Sequence, residues 1–104
     1  MTRETVKIGN RKWTVTYRRK LQGDMLGWCI LAPKWEIQIK KDQGDIADTI
    51  LHEILHAICH DQKLKLEDEE EERIVLALAT GLTRFFRDNP EFTGKLMGEI
   101  YADE

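Results

Sequence analysis

The period of the hydrophobic pattern changes once along the chain, from two residues to about 3.6, between Lys40 and Asp45. Before the change, Val6 and Ile8 alternate with Thr5 and Lys7, and Trp13, Val15 and Tyr17 alternate with Lys12, Thr14, Thr16 and Arg18. After it, apolar residues recur three and four apart. Strands followed by helices predict an α+β domain, with a small, mostly antiparallel sheet and then three helices. The 104 residues, 41% of them hydrophobic, suit one domain with a modest core. We therefore read 1–104 as a single unit, with the sheet in 1–41 and helices over 45–61, 68–89 and 90–101.

Local signals sharpen this outline. Gly9-Asn10 between two alternating runs is a hairpin signal. A polar loop with Gly23, Asp24 and Gly27 precedes a short apolar strand, Trp28–Leu31, and Pro33 interrupts the chain before Trp35–Lys40. In that last strand Trp35, Ile37 and Ile39 alternate with Glu36, Gln38 and Lys40, as expected of a half-buried strand. The three tryptophans are expected to pack on the sheet face. Asp45, with Asp48 three residues on, is an N-cap candidate for the first helix. The second carries Ile74, Val75, Leu78, Leu82, Phe85 and Phe86 at helical spacing. Asn89-Pro90 predicts a stop and a restart, with Asn capping the third helix. That helix is expected to close the core with Phe92, Leu96, Ile100 and Tyr101.

Charge is unevenly spread. Residues 1–20 hold seven Lys/Arg and one acidic residue, whereas the remainder holds nine basic and eighteen acidic. A basic hairpin could touch an acidic partner, but alternating strand charges ordinarily face water. Cys29 and Cys59 form no CxxC, so neither a disulfide scaffold nor an all-Cys metal module is expected. Nothing after Met1-Thr2-Arg3-Glu4 resembles a secretion leader, and no run reaches the ~18 apolar residues of a membrane span. We expect a cytoplasmic protein with reduced thiols and no membrane partner.

The informative stretch is His52-Glu53-Ile54-Leu55-His56, an HExxH on the first helix. Residues four apart on a helix stand one above the other, about 40° round. Two imidazoles so placed can share one tetrahedral metal at ~2.0–2.1 Å. Glu53 lies about 100° round from His52, where it can reach a metal-bound water as general base rather than bind the metal. On the helix wheel Ala47, Ile50, Leu51, Ile54 and Ile58 form an apolar stripe, with the histidines roughly opposite its centre.

Two histidines leave a ligand missing. His60 would place three ligands over ~12 Å of helix axis, too far for bonds of ~2 Å. A carboxylate from the second helix remains. The run Glu67–Glu72 is for the most part a solvated face favoured by the helix dipole. Glu72, however, continues the row of Val75, Ala79 and Leu82, and Glu71 continues that of Ile74 and Leu78. As neighbours about 100° apart, only one of them is expected to face the metal, the other being dispensable.

The segment Thr49-Ile50-Leu51-His52-Glu53-Ile54-Leu55-His56-Ala57-Ile58 resembles the active-site helix of small phage and prophage HExxH metallopeptidase-like proteins. These are related to the ImmA/IrrE-type zinc peptidases of the gluzincin group. Glu72-Arg73-Ile74-Val75-Leu76-Ala77-Leu78-Ala79-Thr80-Gly81-Leu82 is similar to their second helix, and Arg87-Asp88-Asn89-Pro90-Glu91 to the ending that follows. The resemblance covers about residues 27–97. It implies a minimal zincin-like fold with one Zn2+ per chain. His52, His56 and Glu72 would be the ligands and Glu53 the catalytic base. The family often places Asp or Asn four residues after the ligand Glu, to support a histidine; Leu76 stands there. Its usual Gly within the motif is Leu55. No helix-turn-helix is attached, so nucleic acid is not an expected partner.

The implied function is zinc-dependent hydrolysis of a peptide or protein substrate. The substrate would pair with Trp35–Lys40 as an edge strand. Tyr101, Arg73 and His60 are candidates to help stabilise the oxyanion. The alternative is a zinc-stabilised module that binds a phage or host protein without significant turnover.

Overall fold

A computed structural model describes residues 3–102, with the order β1(Arg3–Ile8), β2(Arg11–Arg18), β3(Gly27–Ile30), β4(Glu36–Lys40), α1(Ile46–Asp61), α2(Asp68–Asp88) and α3(Pro90–Ala102). Residues 1, 2, 103 and 104, the ends of the single unit read from the sequence, lie outside the described residues. The architecture is α+β, with a four-stranded mixed sheet followed by three helices. Among the described residues no helix is long and apolar enough to cross a membrane.

The hairpin forms where Gly9-Asn10 places it. Gly9 takes a φ of 62°, which glycine adopts without steric cost, and β1 and β2 pair antiparallel from Ile8↔Arg11 to Arg3↔Thr16. A Cβ at Gly9 would also overlap Asp61, so this turn closes against the end of α1. The sheet order is β1-β2-β4-β3. Two of the three pairings are antiparallel, and β2 runs parallel to β4.

That order overturns the edge position expected for Trp35–Lys40. β4 lies inside the sheet, and β3 is the edge on that side. The alternation of Glu36 and Gln38 suggested a wet face. Instead the Thr16 hydroxyl donates to Glu36 at 2.8 Å, and the Gln38 amide donates to Glu36 at 3.2 Å. Parallel pairing of β2 with β4 makes these polar side chains partners.

The opposite face carries the core. Ile8, Trp13, Val15, Ile37, Ile39 and Ala57 are buried together, with Ile46, Ile50 and Ile54 of α1 packed against them. Trp13 and Trp35 meet edge to face at 5.4 Å, but Trp28 lines a cleft. The sheet-facing side of α1 is thus Ile46, Ile50, Glu53, Ile54 and Ala57, whereas Ala47 and Ile58 are exposed. On a 100° wheel the buried side is rotated so that His56 stands about 105° and His52 about 145° from its centre, rather than opposite it. Apolar residues on α1 serve two neighbours, the sheet and α2, and so the stripe looked centred between them.

Asp45 caps α1, accepting from the Asp48 amide at 3.2 Å. Its carboxylate also takes both guanidinium nitrogens of Arg87, at 3.0 and 2.9 Å, and Thr80 donates to Asp48 at 3.1 Å. These exposed contacts set α2 antiparallel to α1 and add little energy of their own. Val75, Ala79 and Thr83 are the buried positions of α2. Thr83 replaces the expected Leu82 in that row, its hydroxyl donating to the Ala79 carbonyl at 2.7 Å.

α3 does not close the core. It has no buried residue, and Phe92, Leu96, Met97, Ile100 and Tyr101 are exposed. One sheet face is filled by α1 and the other carries the polar Thr16–Glu36–Gln38 cluster, so no apolar layer is left for it. Its anchor is Phe92 against Phe85, edge to face at 6.1 Å. Nor does Asn89 cap α3: its side-chain amide donates back to the Phe85 carbonyl at 2.9 Å and closes α2 instead.

The Thr16–Glu36 pair is open to test. Burial pushes the Glu36 carboxyl up, but hydrogen bonds from Thr16 and Gln38, with the charges of Arg18 and Lys34, outweigh it and hold the group below the usual Glu value. Glu36 therefore stabilises the fold above its unfolded pKa of about 4.3, and that contribution fades as pH falls through its lower folded value. Glu36→Ala strands the fully buried Thr16 hydroxyl and should cost ~1–3 kcal/mol in urea denaturation at pH 7. Adding Thr16→Val should recover part of the loss.

Candidate metal centre

The two motif histidines project from α1 toward the start of α2. The Nε2 atoms of His52 and His56 lie 3.2 Å apart. One carboxylate oxygen of Glu72 is 2.6 Å from His52 Nε2, and the other is 3.0 Å from His56 Nε2. His52, His56 and Glu72 each offer one ligand atom within 4.8 Å of the others, so this group could hold a metal ion. The edge of a tetrahedron is about 1.63 times its centre-to-vertex distance, so bonds of ~2.0–2.1 Å imply donor separations of ~3.3 Å. The 3.2 Å and 3.0 Å spacings fit that figure.

Glu53 does not join the group. It is 7% exposed and sits where α1 meets β3. Gly27, opposite Ile39 in the sheet register, makes room for it. A Cβ at Gly27 would fall 2.8 Å from a Glu53 carboxylate oxygen and 2.8 Å from Thr49 Cγ2. Burial pushes the Glu53 carboxyl up to about 7; the His56 charge lowers it and the Glu72 charge raises it. A carboxyl with that value exchanges protons readily near neutrality.

Several residues at the site escaped the sequence reading. Glu71, expected to be dispensable, has its carboxylate 2.6 Å from His56 Nδ1. Burial pushes the His56 imidazole down, but the Glu71 and Glu72 hydrogen bonds, with the Glu72 and Glu53 charges, raise it overall. The Gln43 amide donates to the carbonyls of Leu26 and Lys40, at 3.2 and 2.6 Å, and its oxygen accepts from Thr49 at 2.5 Å. It ties the entry of β3 to α1. Cys29 lines the same cleft, and burial, with the Glu53 and Glu71 charges, pushes its thiol up to about 12. It is therefore a protonated wall, not a thiolate ligand.

The cleft, about 750 Å³, runs along the β3 edge past both histidines. Leu26, Leu31, Leu64 and Leu76 give it apolar walls. Leu76, at 56% exposure, supports neither histidine. Of the three oxyanion candidates, only His60 lines the cleft, with its ring 5.5 Å from that of Trp35. Tyr101 is 68% exposed on α3 and Arg73 points to solvent. Compared with known proteins, the chain gives no significant match to any family model, curated protein or solved structure.

The Gly27 contact makes a direct prediction. Gly27→Ala should push α1 off β3 and cost ~1–3 kcal/mol, read as a lower urea midpoint. A variant as stable as the parent would show that Glu53 and Thr49 yield freely.

Proposed function

We propose that the chain is a metallopeptidase, with zinc held by His52, His56 and Glu72 and with Glu53 as general base. The observation that carries this reading is the convergence of three donors at tetrahedral spacing beside a buried carboxyl with a raised pKa. Two imidazoles and one carboxylate are a donor set that suits zinc and leaves a fourth position for water. Bound there, the metal would supply a polarising charge and an acidified water.

The chain's own residues account for the rest. Glu53, dry and poised near neutrality, takes a proton from the attacking water and returns it to the leaving amine. The exposed edge of β3, not β4, offers unpaired backbone groups along the cleft for an extended peptide. His60 is the imidazole on the cleft wall available to a developing oxyanion.

A metal-locked binding module without turnover is the alternative, and the exposed apolar residues of α3 favour it. One set of variants separates the two. His52→Ala, His56→Ala and Glu72→Ala should each lose stoichiometric zinc and melt at lower temperature, since metal binding to the folded state is folding energy. Glu53→Gln should keep zinc and lose peptide cleavage by at least ~100-fold. Zinc retained by all three ligand variants would overturn the centre. A zinc-loaded wild type that cleaves nothing in a broad peptide library would leave the binding module standing.

A further inference from the structure

Resting on the metal-centre reading, we infer that Glu71 positions His56, fixing the imidazole tautomer that faces the metal. Glu71 Oε2 lies 2.6 Å from His56 Nδ1, while Glu72 lies 3.0 Å from Nε2 of the same ring. A neutral imidazole carries one N–H, and a carboxylate accepts only. With Nε2 given to the metal, that one hydrogen sits on Nδ1, where Glu71 accepts it and holds the Nε2 lone pair toward the centre. Consecutive helix positions point about 100° apart, so the two glutamates straddle the ring instead of competing for one edge.

Burial agrees with this division. The Glu71 side chain is 26% exposed against 53% for Glu72, so the residue that is not a ligand is the more enclosed. A carboxylate placed there needs a donor, and the His56 ring supplies it. His52 receives no such support: among the described residues, its hydrogen-bonding contacts are all made through Nε2. Glu71 thus holds one of the two ligand rings without touching the metal, and is a positioning residue rather than a catalytic one.

The test uses the full chain with Zn2+ as probe, and has two readouts independent of activity. Chelator competition gives zinc affinity, and nitrogen-15 NMR of the metal-free Glu72→Ala chain, with and without the Glu71 change, gives the His56 tautomer where Glu71 is the one carboxylate left on the ring. Glu71→Ala should weaken zinc 10- to 100-fold and abolish the preference for Nδ1–H. Glu71→Gln, whose amide oxygen still accepts, should keep that tautomer and most of the affinity. The inference is overturned if Glu71→Ala binds zinc within twofold of wild type or leaves the tautomer unchanged. It is also overturned if both Glu71 variants lose zinc as completely as Glu72→Ala, since Glu71 would then be a ligand. A wild type that takes up no zinc overturns the metal centre and this inference together. Zinc binding by wild type and normal binding by Glu71→Ala overturn the inference alone.

Discussion

Glu53 lies between α1 and β3 because Gly27 presents no side chain there. The rest of the site depends on that close approach. With Glu53 turned inward, the helix rotates about its axis and the His52–His56 edge comes out at the margin of the helix–sheet interface. From the margin, the imidazoles can be met by α2 on one side and flanked by the β3 edge on the other. Had the helix docked with the histidines opposite the sheet, β3 could not line their cleft. One small residue in a strand thereby sets the relation between Glu53, the histidine pair and the cleft.

Much of this was legible in the sequence because it is local. The change of period, the Gly9-Asn10 turn, the Asp45 cap and the four-residue spacing of the histidines all operate within a few positions, where propensity and helix geometry decide. The docking of α2 was partly legible. Glu72 continues the row of buried Val75 and Ala79, and the structure brings it to His52 and His56.

What escaped is non-local. Parallel pairing of β2 with β4 leaves no turn signal, so Trp35–Lys40 looked like an edge. Polar Glu36 and Gln38 looked solvated because their partner, Thr16, is twenty positions from Glu36. Apolar periodicity in α3 reads as a buried face, but it cannot say that no layer remains to cover it. The contact of Glu71 with His56 was hidden by its setting in an acidic run, whose other members favour a helix start for ordinary electrostatic reasons. A carboxylate there becomes specific only once a histidine of α1 is known to face it.

The strand order also leaves the sheet with two open edges of unequal hazard. Unpaired strand edges invite pairing with another chain, and natural sheets blunt them with short strands and lysines. β1 carries Arg3, Glu4 and Lys7 on exposed positions, charged side chains of the kind that blunt an edge. β3 has four residues and no charge, and it borders the cleft. Its shortness, and the acidic helix starts across the cleft, are what stand against aggregation on that side. The surface that a peptide would need is therefore also the place where this chain is least guarded against its own kind.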